Sequence, residues 1–122
     1  MLRTRDYLWL GFILLLMTGC AGGWREIRED YVIENNYGVR CIRLGLWNDA
    51  LIWLEKARDK KPEKASIHNN LGVVYEYFGQ LEEAGRAYEK AVELSGGKKV
   101  YRENLQAFIE DRGQKTEAED SR

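Results

Sequence analysis

The side chains with intrinsic reactivity are few. The 122 residues hold two cysteines, Cys20 and Cys41, and one histidine, His68. A thiol beside an imidazole can serve as nucleophile and base, and thiolates with imidazole can hold zinc. A zinc site wants three or four ligands, and one histidine does not supply them. Cys41 falls on the apolar side of a helical pattern, where a free cysteine behaves as a small hydrophobe. No complete catalytic constellation is present. The expectation is therefore no enzyme, no metal and no cofactor. The Glu and Lys runs read as solvated helix faces. With 19 basic and 20 acidic residues the net charge is −1, which offers nucleic acid no strongly basic patch.

Cys20 stands apart by its context. A basic start, Met1-Leu2-Arg3-Thr4-Arg5, precedes an apolar run from Tyr7 to Met17 and then Thr18-Gly19-Cys20. That is the layout of a secretory signal. The run falls short of the roughly 17–25 apolar residues of a membrane-spanning helix. Leu16-Met17-Thr18-Gly19-Cys20 resembles the lipobox of bacterial lipoproteins, although Met17 stands where Leu is commonest. The resemblance implies removal of residues 1–19 and lipidation of Cys20. With Cys20 lipidated, Cys41 has no disulfide partner. Ala21 follows the cysteine where retained inner-membrane lipoproteins often carry Asp. The implied location is lipid-anchored, on the outer membrane, facing the periplasm.

The elements beyond Cys20 read as helices. Cys20-Ala21-Gly22-Gly23 is expected to be a flexible tether, and Trp24, Ile27 and Tyr31 share one side of a helical lead-in, so residues 20–30 form tether and lead-in. The first full helix should end at Leu44-Gly45. Asn48 is the expected N-cap of the second helix, which Lys60-Lys61-Pro62 ends. A third helix spans about Lys64 to Phe78 and a fourth about Leu81 to Leu94, with a break at Ser95-Gly96-Gly97. The fifth, about Lys98 to Arg112, carries Val100, Tyr101, Leu105, Phe108 and Ile109. The polar tail 114–122 is expected to be disordered.

These helices repeat at an offset of 34 residues. Asn36-Tyr37-Gly38 recurs as Asn70-Leu71-Gly72, Gly45 as Gly79, Ala50 as Ala84, and Glu55-Lys56-Ala57 as Glu89-Lys90-Ala91. A fixed period of this length marks stacked helical units. The units resemble tetratricopeptide repeats, through Gly38, Gly45, Ala50, Leu54, Ala57 and Pro62 in the first and Leu71, Gly72, Tyr75, Gly79, Ala84, Tyr88 and Ala91 in the second. Glu34 and His68 depart from the pattern at a position that is often Trp. The resemblance implies an all-α short solenoid: repeat 1 over 31–64, repeat 2 over 65–98, and a capping helix over 99–113. The residues expected to pack the helices are Gly38, Ala50, Ala57, Gly72, Tyr75, Ala84, Tyr88 and Ala91, small residues against large knobs. Glycines 38 and 72 admit the second helix, with Ala50 and Ala84 as their small partners.

In this family the first helices of successive units line a concave binding surface. By register that implies Val32, Asn35, Asn36, Val39 and Ile42, then Ser66, Asn69, Asn70, Val73 and Tyr77, then Val100, Asn104 and Ala107. Asn36, Asn70 and Asn104 form a ladder at the repeat period, which either binds a peptide backbone or bridges adjacent helices. Basic residues suited to a terminal carboxylate are missing, so an apolar or helical segment is the expected ligand. Trp47 and Trp53 are hot-spot candidates if exposed and core residues otherwise. The implied function is a protein–protein interaction module, a scaffold or assembly factor for an envelope complex such as a pilus, secretion or cell-wall system. The alternative is a structural subunit or homodimer completing a larger complex.

Overall fold

The computed structural model describes residues 21–120, with side chains from 30 to 115. The signal segment 1–19 and Cys20 lie outside the described residues. The chain divides into two compact units, Met1–Asp30 and Tyr31–Arg122, and the repeats lie in the second. The described residues form five helices: α1 (Ala21–Arg43), α2 (Trp47–Lys60), α3 (Ala65–Tyr77), α4 (Leu81–Leu94) and α5 (Lys99–Asp120). Among them there is no strand.

The turns within the two hairpins are copies of each other. Gly45 (φ 72°) ends α1 and Gly79 (φ 71°) ends α3, each in the left-handed region that disfavours any side chain. Around Gly45, the Leu46 N–H donates to the Cys41 carbonyl (2.9 Å) and the Gly45 N–H to the Ile42 carbonyl (3.1 Å). Around Gly79, Gln80 donates to Tyr75 (2.9 Å) and Gly79 to Glu76 (3.0 Å). Both are Schellman caps, which satisfy carbonyls that a helix end leaves open. The residue after each glycine also starts the next helix. Leu46 and Gln80 accept from the Ala50 and Ala84 N–H groups at 2.9 Å. Three residues thus reverse the chain, and the helices of each hairpin must lie side by side.

What lets them lie close is the absence of a side chain at one point on each first helix. A Cβ on Gly38 would sit 2.7 Å from Leu54 Cγ, and one on Gly72 would sit 2.8 Å from Tyr88 Cε1. Leu54 and Tyr88 are themselves equivalent, one period apart. The sequence expectation paired these glycines with Ala50 and Ala84. Instead the large residue one turn further along the second helix fills the gap, with the Ala50 carbonyl 3.5 Å from the same point on Gly38. Ala50, Ala57, Ala84 and Ala91 are fully buried, as their small size anticipates. The main core gathers Tyr31, Cys41, Leu54, Ile67, Leu71 and Val74, and a second cluster joins Ala84, Tyr88 and Phe108. The expected packing residue Tyr75 lies half-buried against both clusters.

Three local expectations give way. Asn48 does not cap α2; the cap is Leu46, without a side-chain bond, because the preceding Schellman turn delivers the chain one residue earlier. Ala21 to Gly23, expected as a tether, are helical. Glycine costs a helix interior about 1 kcal/mol relative to alanine, and a helix already nucleated can extend over that deficit. At the other end α5 continues past Gly113 to Asp120, where a disordered tail was expected. Side-chain pairs one turn apart, Gln106–Glu110 and Asp111–Lys115, support that extension.

Candidate partner-binding face

The first helix of each hairpin and the capping helix are tied into a row by side-chain amides. Asn70 Nδ2 donates to Asn35 Oδ1 at 3.0 Å, joining α3 to α1. Asn104 Nδ2 donates to Asn69 Oδ1 at 2.7 Å, joining α5 to α3. These bonds step 35 residues, one more than the repeat. The ladder read from the sequence, Asn36–Asn70–Asn104, is therefore not itself the bonded set. Each amide reaches back two helices, to the preceding first helix, and meets the residue before its own equivalent. The asparagines act as bridges between helices, one of the two roles the sequence left open.

Residues three and four from these bridges share their side of each helix, and they carry the apolar surface. Val32 is 40% exposed, Tyr77 57% and Val100 54%. Val39, Val73 and Ser66 are half-buried, Asn36 and Ala107 are exposed, and Ile42 packs partly against the core. The expected concave residues thus form a strip of exposed apolar side chains around a polar seam of paired amides. Such a strip can take up an apolar or amphipathic segment, while the half-satisfied amides offer further donors and acceptors to its backbone.

One edge of the strip was missed by sequence reasoning. The Trp47 and Tyr77 rings stack at 3.9 Å and 10°, and Phe78 meets Tyr77 edge-on at 5.5 Å. With Leu46, Asn48 and Asp49 they line a cleft of about 320 Å³. The signal available was Trp47 at the turn of one unit and Tyr77 at the turn of the next. Nothing in their spacing says that the rings meet. Trp53 resolves differently: half-buried, it packs on Tyr37 at 4.9 Å, with Lys56 Nζ 4.5 Å above its ring.

The reactive residues have structural work. Cys41 is buried in the main core. His68 Nε2–H donates to the Pro62 carbonyl at 2.6 Å, pinning α3 to the end of α2. Its equivalent, Glu34, makes a different tie, from α1 to the end of the second helix of its own unit. Glu34 is buried, and Lys60 donates to its Oε1 at 2.8 Å while Oε2 has no hydrogen-bond partner. Tyr88 O–H donates to Glu76 Oε2 at 2.9 Å. Burial, and then the Glu76 carboxylate, push the Tyr88 phenol well above the usual tyrosine range. Among the described residues no group of three or more His, Cys, Asp or Glu is placed to hold a metal ion. Among them no helix is long and apolar enough to cross a membrane.

The family model of the tetratricopeptide repeat matches residues 65–97. No curated protein matches the chain. The matched stretch is α3, its glycine turn and α4, the hairpin whose packing is closed on both sides. Repeats of this type are typically non-catalytic and bind protein partners, so the match supports a protein–protein interaction module. Residues 65–97 match the tetratricopeptide repeat, and the described residues have an all-α fold that fits a helical-repeat solenoid.

Proposed function

We propose that the chain is a lipid-anchored envelope protein that binds an apolar or helical segment of another envelope protein along the strip formed by α1, α3 and α5. The observation carrying the binding reading is the exposure of Val32, Tyr77 and Val100 beside the Asn35–Asn70 and Asn69–Asn104 bridges. Water-exposed apolar side chains gathered on one side of a rigid scaffold mark an interaction surface. The anchor rests on the lipobox resemblance around Cys20, and the outer-membrane, periplasm-facing location on Ala21. A role in assembling a pilus, secretion or cell-wall complex accords with that placement. A second reading, a structural subunit completing a larger complex, is favoured by the apolar outer side of α1.

Two measurements test the proposal separately. A photo-crosslinking residue at Tyr77 or Val100 should trap one protein in cells, and the same residue at Glu103, on the polar side of α5, should not. Equal trapping at all three positions would remove the binding strip. Intact mass of the membrane fraction should show loss of residues 1–19 and an acylated Cys20. A soluble chain with a free Cys20 thiol would sink the anchor and leave the binding strip standing.

A further inference from the structure

We propose that the outer face of α1 is a docking surface for a helical hairpin of the same repeat type, brought by a partner protein that stacks ahead of the first unit. The face is Ile33, Tyr37, Arg40 and Leu44, spaced along one side of the helix. Ile33 is 61% exposed, Tyr37 50% and Leu44 63%. It is a different surface from the strip that Val32 and Tyr77 mark.

The chain itself shows what covers such a face. One period later the same positions are Ile67, Leu71, Val74 and Phe78; the first three are 0–1% exposed, and Phe78, at the edge of the covered face, is 38% exposed. Ile67, Leu71 and Val74 are closed by the preceding hairpin, in one cluster with Leu54 and Ala57 of α2. The α1 face is the same interface without its preceding hairpin. Asn36 supplies the register. Asn70 and Asn104 each donate to an asparagine on the preceding first helix, and Asn36 stands exposed at the equivalent point. The docked hairpin therefore carries a hydrogen-bond acceptor there. Arg40 is exposed where Val74 is buried, so the docked helix also brings a carboxylate. The cap of a second copy does not meet these terms. The outer side of α5 is mostly charged, with Arg102, Glu103 and Glu110 exposed and Ile109 (52% exposed) beside them. Gln106 stands where Gly38 and Gly72 admit a second helix.

The probe is the chain's own first unit, residues 31–64, inserted a second time ahead of Tyr31 in the full-length chain. The added hairpin then meets α1 through the contacts that α1 and α2 already make with α3. A stacked unit adds one interface to the array, so Tm should rise by roughly 5 °C or more. Ile33→Asp in the resident unit should cancel that rise while leaving Tm of the unlengthened chain within about 3 °C, as for an exposed site. Circular dichroism reports whether the added residues are helical. An added unit without helix, or with helix and no rise in Tm, overturns the proposal. So does sedimentation of the unlengthened chain as a dimer that Leu44→Asp dissociates, because a second copy would then be the occupant.

Discussion

The two hairpins share their turns, their glycine contacts and their chain path, yet equivalent residues meet opposite fates. Ile67 and Leu71 are buried to 0–1% exposure, and Ile33 and Tyr37, one period earlier, are 61% and 50% exposed. Residue type does not separate them, since isoleucine occupies both members of one pair. The neighbours do. The second hairpin lies between the first hairpin and α5, whereas the outer side of α1 has no packed helix against it in the Tyr31–Arg122 unit. In a repeat array each unit is stabilised by its own contacts and by its interfaces with adjacent units. The first hairpin has one such interface and the second has two.

The sharpest way to break this comparison is truncation at the paired position. Leu71→Ala should lower unfolding stability by about 2–5 kcal/mol, as for a fully buried leucine. Tyr37→Ala should lower it by about 1 kcal/mol, the worth of its ring contact with Trp53. Urea midpoints measure both, and equal losses would mean that the hairpins are equally enclosed.

A second contrast lies under the glycines. Leu54 fills the gap in the first hairpin and Tyr88 in the second, so only the second has a buried phenol at that point. An unfolded tyrosine loses its proton near about pH 10, and Tyr88 in the folded chain holds its proton to higher pH. Its contribution to stability is therefore complete below that pH and declines as pH rises past it. The decline approaches about 1.4 kcal/mol per pH unit. Tyr88→Phe should remove this part of the alkaline slope in urea titrations between pH 8 and about pH 11. An unchanged slope would place the sensitivity elsewhere.

The smallest expected effect concerns the amide bridges. Asn70→Ala breaks the bond to Asn35 and should cost about 0.5–1.5 kcal/mol. Asn36→Ala, at an exposed position with the same residue type, should cost nearly nothing. If both variants shift the midpoint alike, the bridge contributes little and the amides serve another purpose.

Much of the fold was legible because its signals are local. The left-handed glycines, the four-residue apolar spacing and the Lys-Lys-Pro stop each act within a turn or two of chain, and α3 and α4 fall within two residues of their expected ends. Local signals failed where they competed. Asn48 is a good cap on its own terms, but the Schellman turn before it had already started the helix. The glycines at 22, 23 and 113 read as breaks, yet helix passes through them. The binding strip was legible as a set of positions and not as a set of partners. The sequence places Asn36, Asn70 and Asn104 at a common register; the crossing of adjacent helices decides that the bonds run from 70 to 35 and from 104 to 69. Trp47 and Tyr77 were each legible as candidates, but not their stacking, because the rings come from different hairpins.

Taken alone, the order of residues dictates the period, the helices, the turns and which positions must be small. Those follow from backbone conformation and from side-chain volume at a single contact. It also places the reactive residues, with Cys20 in a lipobox-like setting and Cys41 and His68 within the repeats. Tertiary structure alone decides which of two equivalent isoleucines is core and which is surface. It likewise decides that Glu34 and His68 replace an aromatic with a polar tie, and that the asparagines are spent largely on one another. Burial and hydrogen bonding belong to pairs of surfaces, and a repeat at the end of a stack has the same surface as its neighbour without the other half of the pair.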